Sequence, residues 1–257
     1  MTSPIEPRTA SLYHATRAPT VEAMTAMTIV LAAMLIYLIV AIAMPPPAAL
    51  PAAQAALAIV AITMAAVQHR ARPFAAVGLR GARPRFVAAA VAIGATAWYI
   101  NIQLVSQLPL PEHQGRMLAE LVDRRPLGYA LAMFALLPAV CEEILFRGVL
   151  ARALGRRLPI AAAAAISAAV FAAYHVSVVQ ALPTFTLGFV LGLIAIRADS
   201  VVPSMIAHAI NNAAAIAMSR GELPGLAGWV NAHAAPVLAG CVAATALGIA
   251  AVLRGRA

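Results

Sequence analysis

Seven polar residues stand inside otherwise apolar stretches of this sequence: Glu142, Glu143 and Arg147 in AVCEEILFRGVL, His175 at the end of AAVFAAYH, and His208, Asn211 and Asn212 in MIAHAINN. A charge at mid-bilayer costs about 2.5–3.5 kcal/mol on insertion scales, so such side chains turn to a protein interior or a wet cavity, and to one another. Carboxylate, imidazole and carboxamide together can take a proton from water, return it to a leaving group, and donate hydrogen bonds to a developing oxyanion.

Spacing divides the set. Residues four apart share a helix face, which pairs Glu143 with Arg147, Phe171 with His175, and His208 with Asn212. Glutamate ahead of arginine is the favourable order for an intrahelical ion pair, so Glu143 is expected to be neutralised by Arg147 and to support the wall of the site. Glu142, about 100° round the helix, is left for chemistry. The midpoint of 142 and 175 falls between Leu158 and Pro159, where RALGRRLP breaks the helical pattern. A hairpin closed there brings Glu142 level with His175. Cys141 and Cys241 show no paired spacing, and a thiol in an apolar wall is usually inert.

The elements that carry these residues follow from composition. With 63% hydrophobic and 11% charged residues and a mean hydropathy of +0.89, the chain lies far from soluble domains. It reads as an all-α polytopic bundle, because helices satisfy their own backbone in lipid. Residues 1–23 form a polar tail, and 24–257 a single transmembrane domain. Eight spans are expected, near 24–44, 48–67, 86–104, 127–150, 158–179, 183–196, 202–218 and 234–253. Trp98, Tyr99 and Trp229 suit the interface.

Every Lys or Arg in the chain is arginine, and the net charge is +9. Sorted by the eight spans, thirteen arginines fall on the side of the termini and four opposite, with Arg147 inside a span. The positive-inside rule then puts both termini in the cytoplasm, with arginine-rich loops that attract anionic lipids. The loop HRARPFAAVGLRGARPR lacks the interleaved aromatics of a nucleic-acid surface, and no nucleic-acid partner is expected.

EEILFR, FAAYH and HAINN resemble the EExxxR, FxxxH and HxxxN motifs of CPBP intramembrane proteases, the family of CAAX prenyl endopeptidases and Abi-type proteins. The likeness covers about 120–220 and extends weakly to FAAVGLR (74–80). It implies a membrane endopeptidase in which Glu142 and His175 activate water and His208 and Asn212 steady the oxyanion, with Glu143, Arg147 and Phe171 in support. The implied substrate is a membrane-embedded or lipidated peptide, and the implied setting a bacterial inner membrane with the cavity open to the cytoplasm. Zinc could be ligated by Glu142, His175 and His208, but no HExxH is present and the reading favours metal-free chemistry. Two other classes compete: a proton-coupled transporter, since intramembrane Glu and His build relays, and a noncatalytic Abi-type partner protein.

Overall fold

The structure is a computed structural model that describes residues 20–70, 72–109 and 112–254. Most of the expected polar tail, residues 1–19, lies outside the described residues. Among those described there are eleven helices and no strand. They are α1 (Ala23–Ala43), α2 (Pro46–Gln68), α3 (Pro73–Ala76), α4 (Pro84–Val105), α5 (Glu112–Asp123), α6 (Leu127–Leu154), α7 (Ile160–Tyr174), α8 (Val178–Ala198), α9 (Val202–Ser219), α10 (Pro224–Ala232) and α11 (Ala234–Arg254). Proline sits in the first turn of α2, α3, α4, α9 and α10, where its fixed φ suits the helix and its missing N–H leaves nothing unpaired.

Six helices, α1, α2, α4, α6, α8 and α11, are long and apolar enough to cross a membrane. Eight were expected from the sequence. All eight exist as helices, but α7 has only 15 residues, about 22 Å at 1.5 Å per residue, and α9 has 18 and carries His208, Asn211 and Asn212. The break between α7 and α8 also differs from the expected one near 179–183. α7 ends at Tyr174, Val176 takes a left-handed φ of 47°, and Ser177 caps α8 by accepting from Gln180 N. Pro183 therefore lies inside α8. The sequence reading did not anticipate α3, α5 and α10.

Helix α6 is the centre of the bundle. Its second half, Ile144 to Ala153, packs with α1, α2, Ala76, Val77 and Phe171 in the largest buried apolar group. A second group joins α4, α8, Ala207 of α9 and Val252 of α11, and a third holds the start of α6 against Ile216 of α9. Exposed Leu31, Leu35, Leu38, Ile39 and Ile42 on α1 and Leu247 on α11 suit lipid contact. Two stretches of α6 wind as π-helix, Ala132–Leu136 and Glu143–Ala151, and the second holds Glu143 and Arg147.

Polar contacts tie the loops at each end. At one end Asp199, between α8 and α9, lies 3.1 Å from Arg80, 3.0 Å from Arg152 and 3.5 Å from Arg156. Arg152 also donates to Ala76 O, and Ser200 Oγ donates to Arg80 O, so the loop after α2 is fastened to the end of α6. At the other end Arg220 donates to the carbonyls of Val122, Asp123 and Arg125, and lies 3.0 Å from Glu222.

Candidate active site

The site is built on α6, and the two adjacent glutamates face different neighbours. Glu143 is wholly buried, with Oε1 3.0 Å from His208 Nδ1 on α9 and 2.9 Å from Arg147 Nη1 one turn on. Arg147 is wholly buried too, yet none of its three guanidinium nitrogens makes an aligned hydrogen bond. The pair is held by charge at short range. The guanidinium also lies 4.1 Å from the centre of the Phe171 ring, a cation–π contact that gains from exclusion of water. Gly188 of α8 makes room, since a Cβ there would stand 2.8 Å from Arg147 Nη2.

Phe171 is the hub of the aromatic side of the site. Its ring centre is 4.7 Å from that of His175 and 6.1 Å from that of His208, both edge-on. His175 caps α7, and its Nδ1 is 2.9 Å from Phe171 O. A carbonyl only accepts, so Nδ1 carries the hydrogen and Nε2 of the neutral ring is left to accept. The half-buried His175 is the more open of the two imidazoles, for His208 is 3% exposed.

Glu142 is 3% exposed, and its Oε1 accepts a 2.8 Å hydrogen bond from Nε2 of Gln54 on α2. Among the described residues its second oxygen has no protein partner. Asn212 Nδ2 donates to Phe134 O at 3.1 Å, and its Oδ1 accepts from Asn211. Phe134 is four residues before Pro138, which has no N–H to give it. The amide of Asn212 keeps a second N–H hydrogen.

Contacts thus join Glu143, Arg147, His208, Phe171 and His175 in one continuous set. Glu142 is fastened separately, to Gln54, and Asn212 to α6. The sequence reading grouped His208 with Glu142, whereas its hydrogen bond is to Glu143. Among the described residues no group of three or more His, Cys, Asp or Glu is placed to hold a metal ion. Glu142, His175 and His208 are not gathered into such a group.

The family model of Type II CAAX prenyl endopeptidase Rce1-like proteins matches residues 125–214. Over this segment, which is less than half of its length, the chain is similar to that family. Comparison with the curated proteins and with the solved structures found no match. The Rce1-like segment runs from the start of α6 into α9 and includes Glu142, Glu143, Arg147, Phe171, His175, His208 and Asn212. Gln54 lies outside it. The sequence held one signal for Gln54, a lone carboxamide in the apolar run ALPAAQAALAIV, the same criterion that picked out the other seven.

Proposed function

We propose that this chain is an intramembrane endopeptidase that cuts a peptide bond of a membrane-associated or lipidated peptide, with water activated by Glu142 and His175. The observation that carries this reading is the state of Glu142: a buried carboxylate with one oxygen held and the other, among the described residues, without a protein partner, on the element that also carries the Glu143–His208 link. The likeness of the Rce1-like segment to a family of CAAX-type membrane endopeptidases supports the hydrolytic class over the transporter and partner-protein readings.

The residues divide the work as follows. Water gives one proton to Glu142 while its other O–H points to Nε2 of His175, and its oxygen attacks the scissile carbonyl carbon. The tetrahedral oxyanion is met by Asn212, through the N–H not used on Phe134, and by Nε2–H of His208. For His208 to donate from Nε2 while Nδ1–H stays on Glu143, the ring must be imidazolium. Collapse breaks the C–N bond, and Glu142 returns its proton to the leaving nitrogen. Glu143 is a poor base itself, since both Arg147 and His208 claim its charge and no face of it meets solvent.

We also place both termini and the arginine-rich end at the cytoplasm. The loops that carry Arg80, Arg152 and Arg156 meet at one end, as that sidedness requires, and would face anionic lipid headgroups. The test of function is cleavage of a farnesylated fluorogenic peptide ending in a CAAX sequence by detergent-purified protein, alongside mass spectrometry of host membranes carrying the native chain or Glu142→Gln. A peptide cut only by the native chain is the expected result. Equal cleavage by both proteins would remove Glu142 from the mechanism. No difference in either assay would favour a noncatalytic role.

A further inference from the structure

Among the described residues, Gln54 is the one residue bonded to Glu142 that belongs to neither the three motifs nor the matched segment. It sits on α2, 88 positions away in sequence, is 3% exposed, and donates from Nε2 at 2.8 Å. With Glu142 ionised, as a base must be, the reverse orientation would set a carbonyl oxygen against a carboxylate oxygen. The amide therefore turns its Oε1 away from Glu142 Oε1, and among the described residues that buried oxygen has no hydrogen-bond partner. Leaving an amide oxygen dry is costly in proteins, and the cost is removed when an N–H arrives from a ligand.

We infer that Gln54 both positions Glu142 and binds substrate, its Nε2 holding Glu142 Oε1 and its Oε1 accepting the backbone N–H of the peptide bond being cut. This rests on Glu142 as the base. Three features carry it. The planar amide keeps donor and acceptor on one carbon, so a group on Gln54 Oε1 is next to the carboxylate that must later protonate the leaving nitrogen. Every peptide bond not made to proline brings one N–H, which makes an acceptor beside the base a general reader of peptide backbone. Held on Gln54 through its N–H, the nitrogen turns the lone pair that develops on collapse toward Glu142. No proton moves through Gln54. The helix α2 thereby becomes a wall of the site supplied from outside the Rce1-like segment.

The experiment compares two farnesylated CAAX peptides that differ at the scissile position, one an amide and one the corresponding ester, which lacks that N–H. For Gln54→Met, which keeps length and removes both polar atoms, kcat/KM on the amide should fall about 10- to 100-fold, and the ester should lose several-fold less. In parallel, protein labelled with [13C]glutamate is examined by infrared spectroscopy. The carboxylate band that disappears in Glu142→Gln should shift in Gln54→Met. Gln54→Asn, which keeps polarity but draws the amide back, should resemble Gln54→Met in both readouts and covers the case in which the methionine variant does not fold.

Equal losses on amide and ester would overturn the substrate contact, as would a native protein that cuts neither peptide. An unshifted infrared band would overturn the positioning role. Full cleavage by Glu142→Gln would instead defeat the reading of the base, and the infrared band would still report whether Gln54 holds that carboxylate.

Discussion

Replacing Glu143 with glutamine should destabilise the protein before it can report on catalysis, whereas the same change at Glu142 should do the reverse. Arg147 has no aligned hydrogen bond, so the Glu143 carboxylate 2.9 Å away is the main compensation for its buried charge. The Phe171 ring face is already in use and cannot offset the loss. Breaking a buried pair from one side costs about 3–5 kcal/mol. At roughly 2–4 °C per kcal/mol for a chain of this size, the melting temperature of Glu143→Gln should drop by about 6–20 °C. The double variant Glu143→Met with Arg147→Met should recover most of that, because a buried ion pair replaced by apolar groups of similar volume is often neutral. Glu142→Gln keeps an oxygen for Gln54 Nε2 and should melt close to the native protein, within about 1.5 kcal/mol, while cleavage falls by about 10² to 10⁴. The assay is melting temperature and peptide cleavage on detergent-purified native protein and these variants. Were Glu143→Gln as stable as the native chain but inactive, and Glu142→Gln still active, the assignment of roles would be reversed.

Three further outcomes are expected. Gly188→Ala should push Arg147 off the Phe171 ring, since the new Cβ would lie 2.8 Å from Nη2 and 3.1 Å from the ring, with a stability loss of about 1–3 kcal/mol read by thermal melting. Asp199→Ala removes the carboxylate shared by Arg80, Arg152 and Arg156; with Arg152 only 2% exposed the cost should be about 3–5 kcal/mol, and limited proteolysis should show faster cutting between α2 and α4. A single cysteine placed at Arg83, in a chain with Cys141→Ser and Cys241→Ser, should resist an impermeant thiol reagent applied to intact cells, and labelling from outside would invert the proposed sidedness.

What was legible in the sequence was whatever local spacing encodes. The turn between α6 and α7 is announced by Gly155 and Pro159, and the Glu143–Arg147 pair by its four-residue separation. The break after His175 was misplaced because Val176 and Val178 are β-branched residues with no turn signature, while Pro183, the obvious breaker, is accommodated inside α8. Contacts between distant elements were not legible at all. The bond from His208 to Glu143 spans 65 positions and that from Gln54 to Glu142 spans 88, and no periodicity within one helix specifies either. Six of the eight expected spans have the length and hydropathy to cross a membrane, and the other two depart for a related reason. A helix such as α9 that carries the site is made less apolar by it, and α7 is shortened by the turn that presents His175.

The π-helical winding of α6 links these observations. Pro138 cannot donate to the carbonyl of Phe134, so the regular ladder fails there, and the adjoining stretch Ala132–Leu136 is wound with five-residue bonds. The Phe134 carbonyl then accepts from Asn212 on α9, and in the second π stretch the Phe146 carbonyl accepts from Ser167 on α7. Both bonds cross between helices. A helix irregular at these two places can thus fix two neighbours in register as well as in contact. One of those neighbours carries His208 and Asn212, and the other carries Phe171 and leads to His175. In the proposed mechanism these two bonds connect the base on α6 to α7 and α9, and Pro138→Ala, which returns an N–H to the Phe134 carbonyl, should loosen Asn212 and lower peptide cleavage by detergent-purified protein although residue 138 touches no substrate.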